Sequence, residues 1–248
     1  MTWNPVSGPT GALRFVRPPA GPGARRPAIR IATYNLHLAA RLDRALSVIR
    51  AEPDLAEADV LALQETDEAA AHRIAEALGL GLVYYPACLH PRTGRNFGPA
   101  LLTRWPVMHD CRLDLPHTGI HGMPRIAVAA VLELEPEPVS VYVVHFGTMR
   151  EIFPRQQDDQ ARRVLADAAT RPGPAIIAGD LNRRGVGRII EEAGWRWITR
   201  QVGRTHLFWS FDHVFVRGFD GAPARAGSVR AALQASDHRA VWAEIRAA

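Results

Sequence analysis

The chain has 248 residues, of which 47% are hydrophobic and 22% charged, with only two cysteines. This excludes disorder over most of the length, a collagen repeat and a disulfide scaffold. The formal charge of +5 does not mark a polyanion binder, because every basic residue is Arg and Arg14, Arg17, Arg25 and Arg26 stand in an acid-free first segment, leaving the rest almost neutral.

Residues 1–28 carry six Pro and four Gly and show no hydrophobic period. They predict an extended or mobile arm ahead of one folded domain, 29–248. No signal-peptide core is visible, and no apolar run approaches the ~20 residues of a membrane span. The expectation is a cytoplasmic protein. Nothing in the pattern sets an oligomeric state.

From Ile29 the pattern changes. IRIATYNL, DVLALQE, VSVYVVHF and AIIAGDLN are short, apolar, β-rich runs. They end in polar residues: Asn35, Glu65, His145, and Asp180 with Asn182. Further strand-like runs are GLVYYPA, PALLTRW, VMHDCRLDL, RIAVAAVLEL, FDHVFVRG and RAVWAEI. Helical periods occupy 41–51, 67–79 and 155–169, the last with a stripe that is apolar only in its second half. Roughly ten strands with three or four helices, not in strict alternation, are too many strands for a simple doubly wound sheet. They predict an α/β four-layer sandwich, two packed mixed β-sheets flanked by helices.

The polar residues at strand edges carry the chemistry. Asp212 opens FDHVFV, and Asp237 and His238 sit together in SDHRAVW before the last strand. With Asn35, Glu65, His145, Asp180 and Asn182 they make an oxygen-rich set with two His and no Cys. That set suits a hard cation such as Mg²⁺ or Mn²⁺ and the charge neutralisation that phosphoryl chemistry requires.

The segments IATYNLH, LALQET, FGPALLTRWPV, VYVVHF, IIAGDLN, FDHVFVR and ASDHRAV, in that order, resemble the endonuclease/exonuclease/phosphatase superfamily, metal-dependent phosphoesterases with the fold of pancreatic deoxyribonuclease. They span nearly all of 29–246. The resemblance implies Glu65 as the principal metal carboxylate, Asn35 as a direct or water-bridged ligand, and Asp237 as a ligand on the far side. It implies Asp180 as the base that activates water and Asn182 as a donor to phosphate or water. It implies His238 on the phosphate oxygens, oriented by Asp212, and His145 as a second cationic or proton-donating group near the leaving oxygen. Two departures stand out: Gly98-Pro99-Ala100 where the family often has Gly-Asn-Ala, and Ala240 where it often has Pro.

The expected function is divalent-metal-dependent phosphoester hydrolysis, with a small or accessible phosphodiester cut by in-line attack of water. The alternatives are a nuclease acting on DNA or RNA, which the charge does not favour, and a noncatalytic metal-binding module of the same fold. Arg183, Arg184 and Trp209 are expected at the substrate rim. No exposed aromatic hairpin is legible. A CxH…HxC pattern at Cys88, His90, His109 and Cys111 has a one-residue spacer unlike the usual zinc spacings.

Overall fold

The computed structural model describes residues 4–5, 14–21, 28–119, 122–219 and 224–246. Fifteen strands are present among them: β1 (Asn4–Pro5), β2 (Phe15–Arg17), β3 (Ala28–Asn35), β4 (Val60–Thr66), β5 (Gly81–Tyr84), β6 (Cys88–Leu89), β7 (Asn96–Thr103), β8 (Val107–Asp114), β9 (Ile126–Leu132), β10 (Val139–His145), β11 (Ala175–Asp180), β12 (Arg196–Trp197), β13 (Asp212–Arg217), β14 (Ala224–Val229) and β15 (Ala240–Arg246). The helices are α1 (Leu42–Ala51), α2 (Pro53–Ala56), α3 (Glu68–Leu78), α4 (Pro154–Ala169) and α5 (Arg184–Glu192), with a 3₁₀ turn at Arg230–Gln234.

The strands form two mixed sheets. The first runs β1-β6-β7-β4-β3-β15-β14, with β5 sharing an edge of β7 and β2 pairing with β5. The second runs β12-β13-β11-β10-β9-β8. Two pairs are parallel, β3 with β4 and β10 with β11, and the others are antiparallel. Strand alternation explains the stacking. One face of each sheet meets the other sheet: Ile29, Ile31, Val60 and Ala62 pack on Val128, Val141, Ile176 and Val214. The opposite faces carry the helices. Tyr34, Leu61 and Leu63 pack against the α1 and α3 side with Ile49 and Ile74. Tyr142, Ile177 and Phe215 meet α4 and α5 through Val164 and Ile190. This is the expected four-layer sandwich.

Two helices show how local sequence positions the cleft. α3 starts where the Asp67 side chain accepts from Ala70 N at 2.8 Å and stops at Gly79, whose φ of 67° suits a left-handed cap. In α4 the polar half of the stripe is also buried. Gln157 donates to Gly147 O at 2.7 Å, and Gln160 accepts from Gly147 N at 2.9 Å. The two amides fix the loop that leaves β10 immediately after His145.

Parts of the first segment belong to the fold. β2 extends the first sheet beside β5, and Arg14 Nε donates to Asp110 at 2.7 Å. Residues 1–3, 6–13 and 22–27 of the predicted arm lie outside the described residues.

Candidate active site

Strand parity aims most of the site. In β3 the inward face of Ile29 and Ile31 continues to Thr33 and Asn35. In β10 it runs from Val139, Val141 and Val143 to His145, and in β11 from Ile176 and Ala178 to Asp180. β13 runs the opposite way to β11, so its first residue, Asp212, arrives at the same sheet edge on the face of Val214 and Val216. The register places His145 beside Asp180 and Asp180 beside Asp212, one row across three neighbouring strands.

Glu65 reaches the cleft by another route. The parity of Leu61 and Leu63 would send it toward the helices. A bulge between Leu63 and Thr66 and a left-handed backbone at Glu65 (φ 52°) turn it into the cleft instead. Its Oε1 lies 3.3 Å from Asn35 Nδ2 and 3.8 Å from His145 Nε2. The bulge places Thr66 opposite Gly98, where an added Cβ would sit 2.3 Å from Tyr85 O. Backbone proximity therefore demands the glycine of Gly98-Pro99-Ala100.

Asp180 is held from several sides. Its Oδ1 accepts from Asn182 N at 2.7 Å and its Oδ2 from Asn35 Nδ2 at 3.1 Å. Asn182, also left-handed (φ 52°), donates through Nδ2 to Phe146 O at 2.8 Å. Burial and the neighbouring charge of Asp212 raise the Asp180 pKa above the usual carboxylate range. His238 places Nδ1 2.8 Å from Asp212 Oδ2 and Nε2 3.8 Å from Asp180 Oδ2. Burial opposes its charged form, but Asp212 and then Asp180 outweigh burial and push its pKa up to about 10. His238 is therefore an imidazolium at neutral pH.

His145 is the opposite case. It is fully enclosed, with Arg125 Nη1 2.9 Å from its Nδ1 and His238 nearby. Burial first, then the two cationic neighbours, hold its pKa well below the ordinary histidine value. This favours the neutral ring, which still carries one N–H. Arg125 is fixed in turn by Nη2 donating to Glu151 at 2.7 Å.

Asp237 lies at the lip. Its Oδ1 is 3.0 Å from His37 Nδ1 and its Oδ2 3.4 Å from His206 Nε2. Burial would raise its pKa, but His238, His37 and His206 together lower it.

The expected rim is partly corrected. Arg183 is spent on α4, where it bonds the Gln157 side chain, the Pro154 carbonyl and Asp158. Arg184 donates to Arg200 O at 2.7 Å and covers the Trp197 ring. Neither lines the cleft, because the first turn of α5 carries both away from it. Trp209 does line it and is 55% exposed. Leu207 and Phe208 beside it are exposed as well, on a turn with a left-handed backbone at Leu207 (φ 46°). An aromatic hairpin tip thus stands at the mouth, contrary to the expectation from sequence. Trp195 and Trp197 are buried in the second sheet's helix-side core. The CxH…HxC residues do not gather: Cys88 packs on Phe97 and Met123, while Cys111 meets Arg171 on the other sheet.

The cleft encloses about 690 Å³ and is lined by Glu65, Asp180, Asn182, Asp237 and His238, together with Arg125, Glu151 and His206, which sequence reasoning had not singled out. Asn35 Nδ2 donates between the oxygens of Glu65 and Asp180, while its Oδ1 accepts from His37 N at 3.0 Å. Asp212 Oδ1 is buried without a hydrogen-bond partner among the described residues. A surplus of carboxylates around one imidazolium is an environment that a divalent cation can complete.

Residues 32–238, the stretch that supplies all of these groups, match the model of the Endonuclease/Exonuclease/phosphatase family. The chain belongs to this family. Its members are hydrolytic phosphoesterases. An endonuclease/exonuclease/phosphatase from Beutenbergia cavernae superposes with a TM-score of 0.68 at 22% identity, covering 89% of this chain and 72% of the other. One from Bacteroides vulgatus gives a TM-score of 0.70 at 14% identity over 90% and 100%. D. rerio TDP2 complexed with single strand DNA product gives 0.67 at 15% identity over 90% and 100%. At these identities the likeness concerns the fold alone. No curated protein matches the chain as a relative. Among the described residues no helix is long and apolar enough to cross a membrane.

Proposed function

We propose that this family member is a divalent-metal-dependent phosphodiesterase that hydrolyses a small or accessible phosphodiester by direct attack of water. The observation that carries the reading is the buried Asp212–His238 pair, whose free Nε2 lies 3.8 Å from Asp180 Oδ2. Binding alone needs neither a charged imidazole fixed by an enclosed carboxylate nor a second enclosed carboxylate beside it.

Glu65 would hold Mg²⁺ or Mn²⁺ with Asp237 on the far side, and Asn35, whose Nδ2 faces Glu65, would join through water or after its amide turns over; the carboxylates and the orphaned Asp212 Oδ1 fit such an ion. When bound, the ion supplies charge neutralisation at the phosphate. Asp180, with Oδ1 fixed by the Asn182 N–H, turns Oδ2 to the water and takes one of its protons. Its raised pKa makes it a stronger base than an ordinary carboxylate. The water oxygen forms the new P–O bond as the ester P–O bond breaks, giving a phosphomonoester and an alcohol. The His238 imidazolium donates to a phosphate oxygen, where charge builds. Asn182 contributes its remaining amide N–H. The neutral His145 donates its N–H to the departing oxygen, which takes its proton from solvent.

A nucleic-acid strand is the second reading. The exposed Trp209 at the mouth, with Phe208 exposed beside it on the same turn, favours it, because bases stack on such surfaces. TDP2 from D. rerio has been captured with a single-stranded DNA product on this fold.

The test is hydrolysis of bis-(p-nitrophenyl) phosphate and of the corresponding monoester with Mg²⁺, Mn²⁺ or EDTA, for wild type and Glu65→Ala. Diester cleavage that needs the ion and is lost in Glu65→Ala supports the reading. Cleavage that survives chelation overturns it. Oligonucleotide substrates compared with the small diester then separate the two substrate classes.

A further inference from the structure

Imidazoles converge on a single carboxylate at the lip of the cleft. Asp237 faces His37 through Oδ1 at 3.0 Å and His206 through Oδ2 at 3.4 Å. Donor atoms of His206, Asp237 and His238 all lie within 4.8 Å of one another. Two ligands at about 2.0–2.2 Å from a tetrahedral zinc ion stand roughly 3.3 Å apart. The His206–Asp237 separation is already that of a shared coordination shell.

We propose that His37, His206 and Asp237 form a second cation site, selective for zinc-like transition ions, beside His238. It would share Asp237 with the ion proposed at Glu65 and Asn35, and its two imidazoles separate it chemically from that site. Two imidazoles with one carboxylate prefer borderline ions such as Zn²⁺ or Co²⁺, whereas Mg²⁺ prefers oxygen. His206 is fixed in place. Its backbone bridges to His238, Arg239 N donates to Thr205 O at 2.8 Å, and the His206 and His238 ring centroids are 4.5 Å apart. His37 comes from the left-handed turn after β3 with half its side chain in solvent, so it is the adjustable ligand that can rotate onto an ion held by the other two. An ion at this place lies against His238 and obstructs its approach to phosphate. That consequence rests on the proposed hydrolysis, but the binding does not.

The experiment is calorimetric titration of Zn²⁺ into the full chain in saturating Mg²⁺, paired with the visible absorption of Co²⁺. The wild type is expected to bind one equivalent of Zn²⁺ that Mg²⁺ does not displace, and to give the intense bands of a low-coordinate nitrogen–oxygen Co²⁺ site. The His37→Ala/His206→Ala variant is expected to lose at least 100-fold in Zn²⁺ affinity together with the Co²⁺ bands, with unchanged circular dichroism. His206→Gln alone, expected to lose at least tenfold, serves if the double variant does not fold. Absence of Mg²⁺-insensitive Zn²⁺ binding in the wild type, or undiminished binding in the variants, overturns the site. Calorimetry reads it whether or not the diester is cut, so its failure is distinct from failure of the proposed hydrolysis.

Discussion

Asp212 Oδ2 accepts from His238 Nδ1 at 2.8 Å, and this bond joins the two halves of the sandwich. Asp212 begins β13 of the second sheet, and His238 stands just before β15 of the first. Only the closed sandwich brings them together. Asp212→Asn is expected to reduce turnover by about 10²–10⁴-fold, the range of a positioned proton-transfer pair. The same variant tests the charge on His238. Because the pKa of His238 is raised to about 10, the protonated form is retained through neutral pH and lost as pH rises through that value. The wild-type kcat/KM should fall on its alkaline side near there, and in Asp212→Asn the fall should move toward neutral pH. An alkaline limb that stays in place in the variant would remove His238 from the mechanism.

Metal dependence has a readout that needs no substrate. Saturating Mg²⁺ or Mn²⁺ should raise the melting temperature, since a ligand at 100 times its Kd stabilises the native state by about 2.7 kcal/mol. Glu65→Ala should abolish that rise while melting normally in EDTA. An equal rise in the variant would place the ion elsewhere.

Gly98 is required by packing, apart from any contact with substrate. Gly98→Ala sets a methyl against the Tyr85 carbonyl at 2.3 Å. A cost of about 2 kcal/mol is expected, which for a domain of this size lowers the melting temperature by about 4–8 °C. Calorimetric melting of the variant checks it, and an unchanged melting temperature would mean that the backbone yields there freely.

Trp209 is the reverse case. Its ring lies parallel to Phe211, with centroids 6.3 Å apart, and it stands largely in solvent. Trp209→Ala should leave the melting temperature nearly unchanged and raise KM for the preferred substrate at least severalfold with little change in kcat, because it removes contact with substrate and not with the reacting groups. Steady-state kinetics with small and polymeric diesters will show which substrate depends on the ring.

The legible part of the molecule is the part that follows period and parity. Asn35, His145 and Asp180 close apolar runs, Asp212 opens one, and in each case alternation alone gives the correct face. Glu65 was legible as the polar end of an apolar run, but not by alternation, because its own strand parity points the other way and a bulge reverses it. Arg125 stood in plain view at the head of RIAVAAVLEL. Its importance depends on β9 running antiparallel to β10, which brings the start of one strand beside the end of the other. Arg183 misled for a comparable reason: adjacency to Asn182 suggested the rim, but the chain turns into α5 at once and the side chain leaves with it. His206 and the Leu207–Trp209 tip come from an irregular segment with no period to read.

The row formed by His145, Asp180 and Asp212 has a bearing on how such a molecule can change over time. The spacing of these groups is dictated by the interval between hydrogen-bonded strands, about 4.7–4.9 Å, and not by the loops that surround the mouth. Insertions or exchanges in the segments carrying Met149, Leu207 or Trp209 can alter what enters without disturbing the ruler beneath. A one-residue slip of β13 would be ruinous, because it would turn Asp212 outward and bring His213 into the row in its place. Novelty in this architecture is therefore cheap at the lip and forbidden in the pleat.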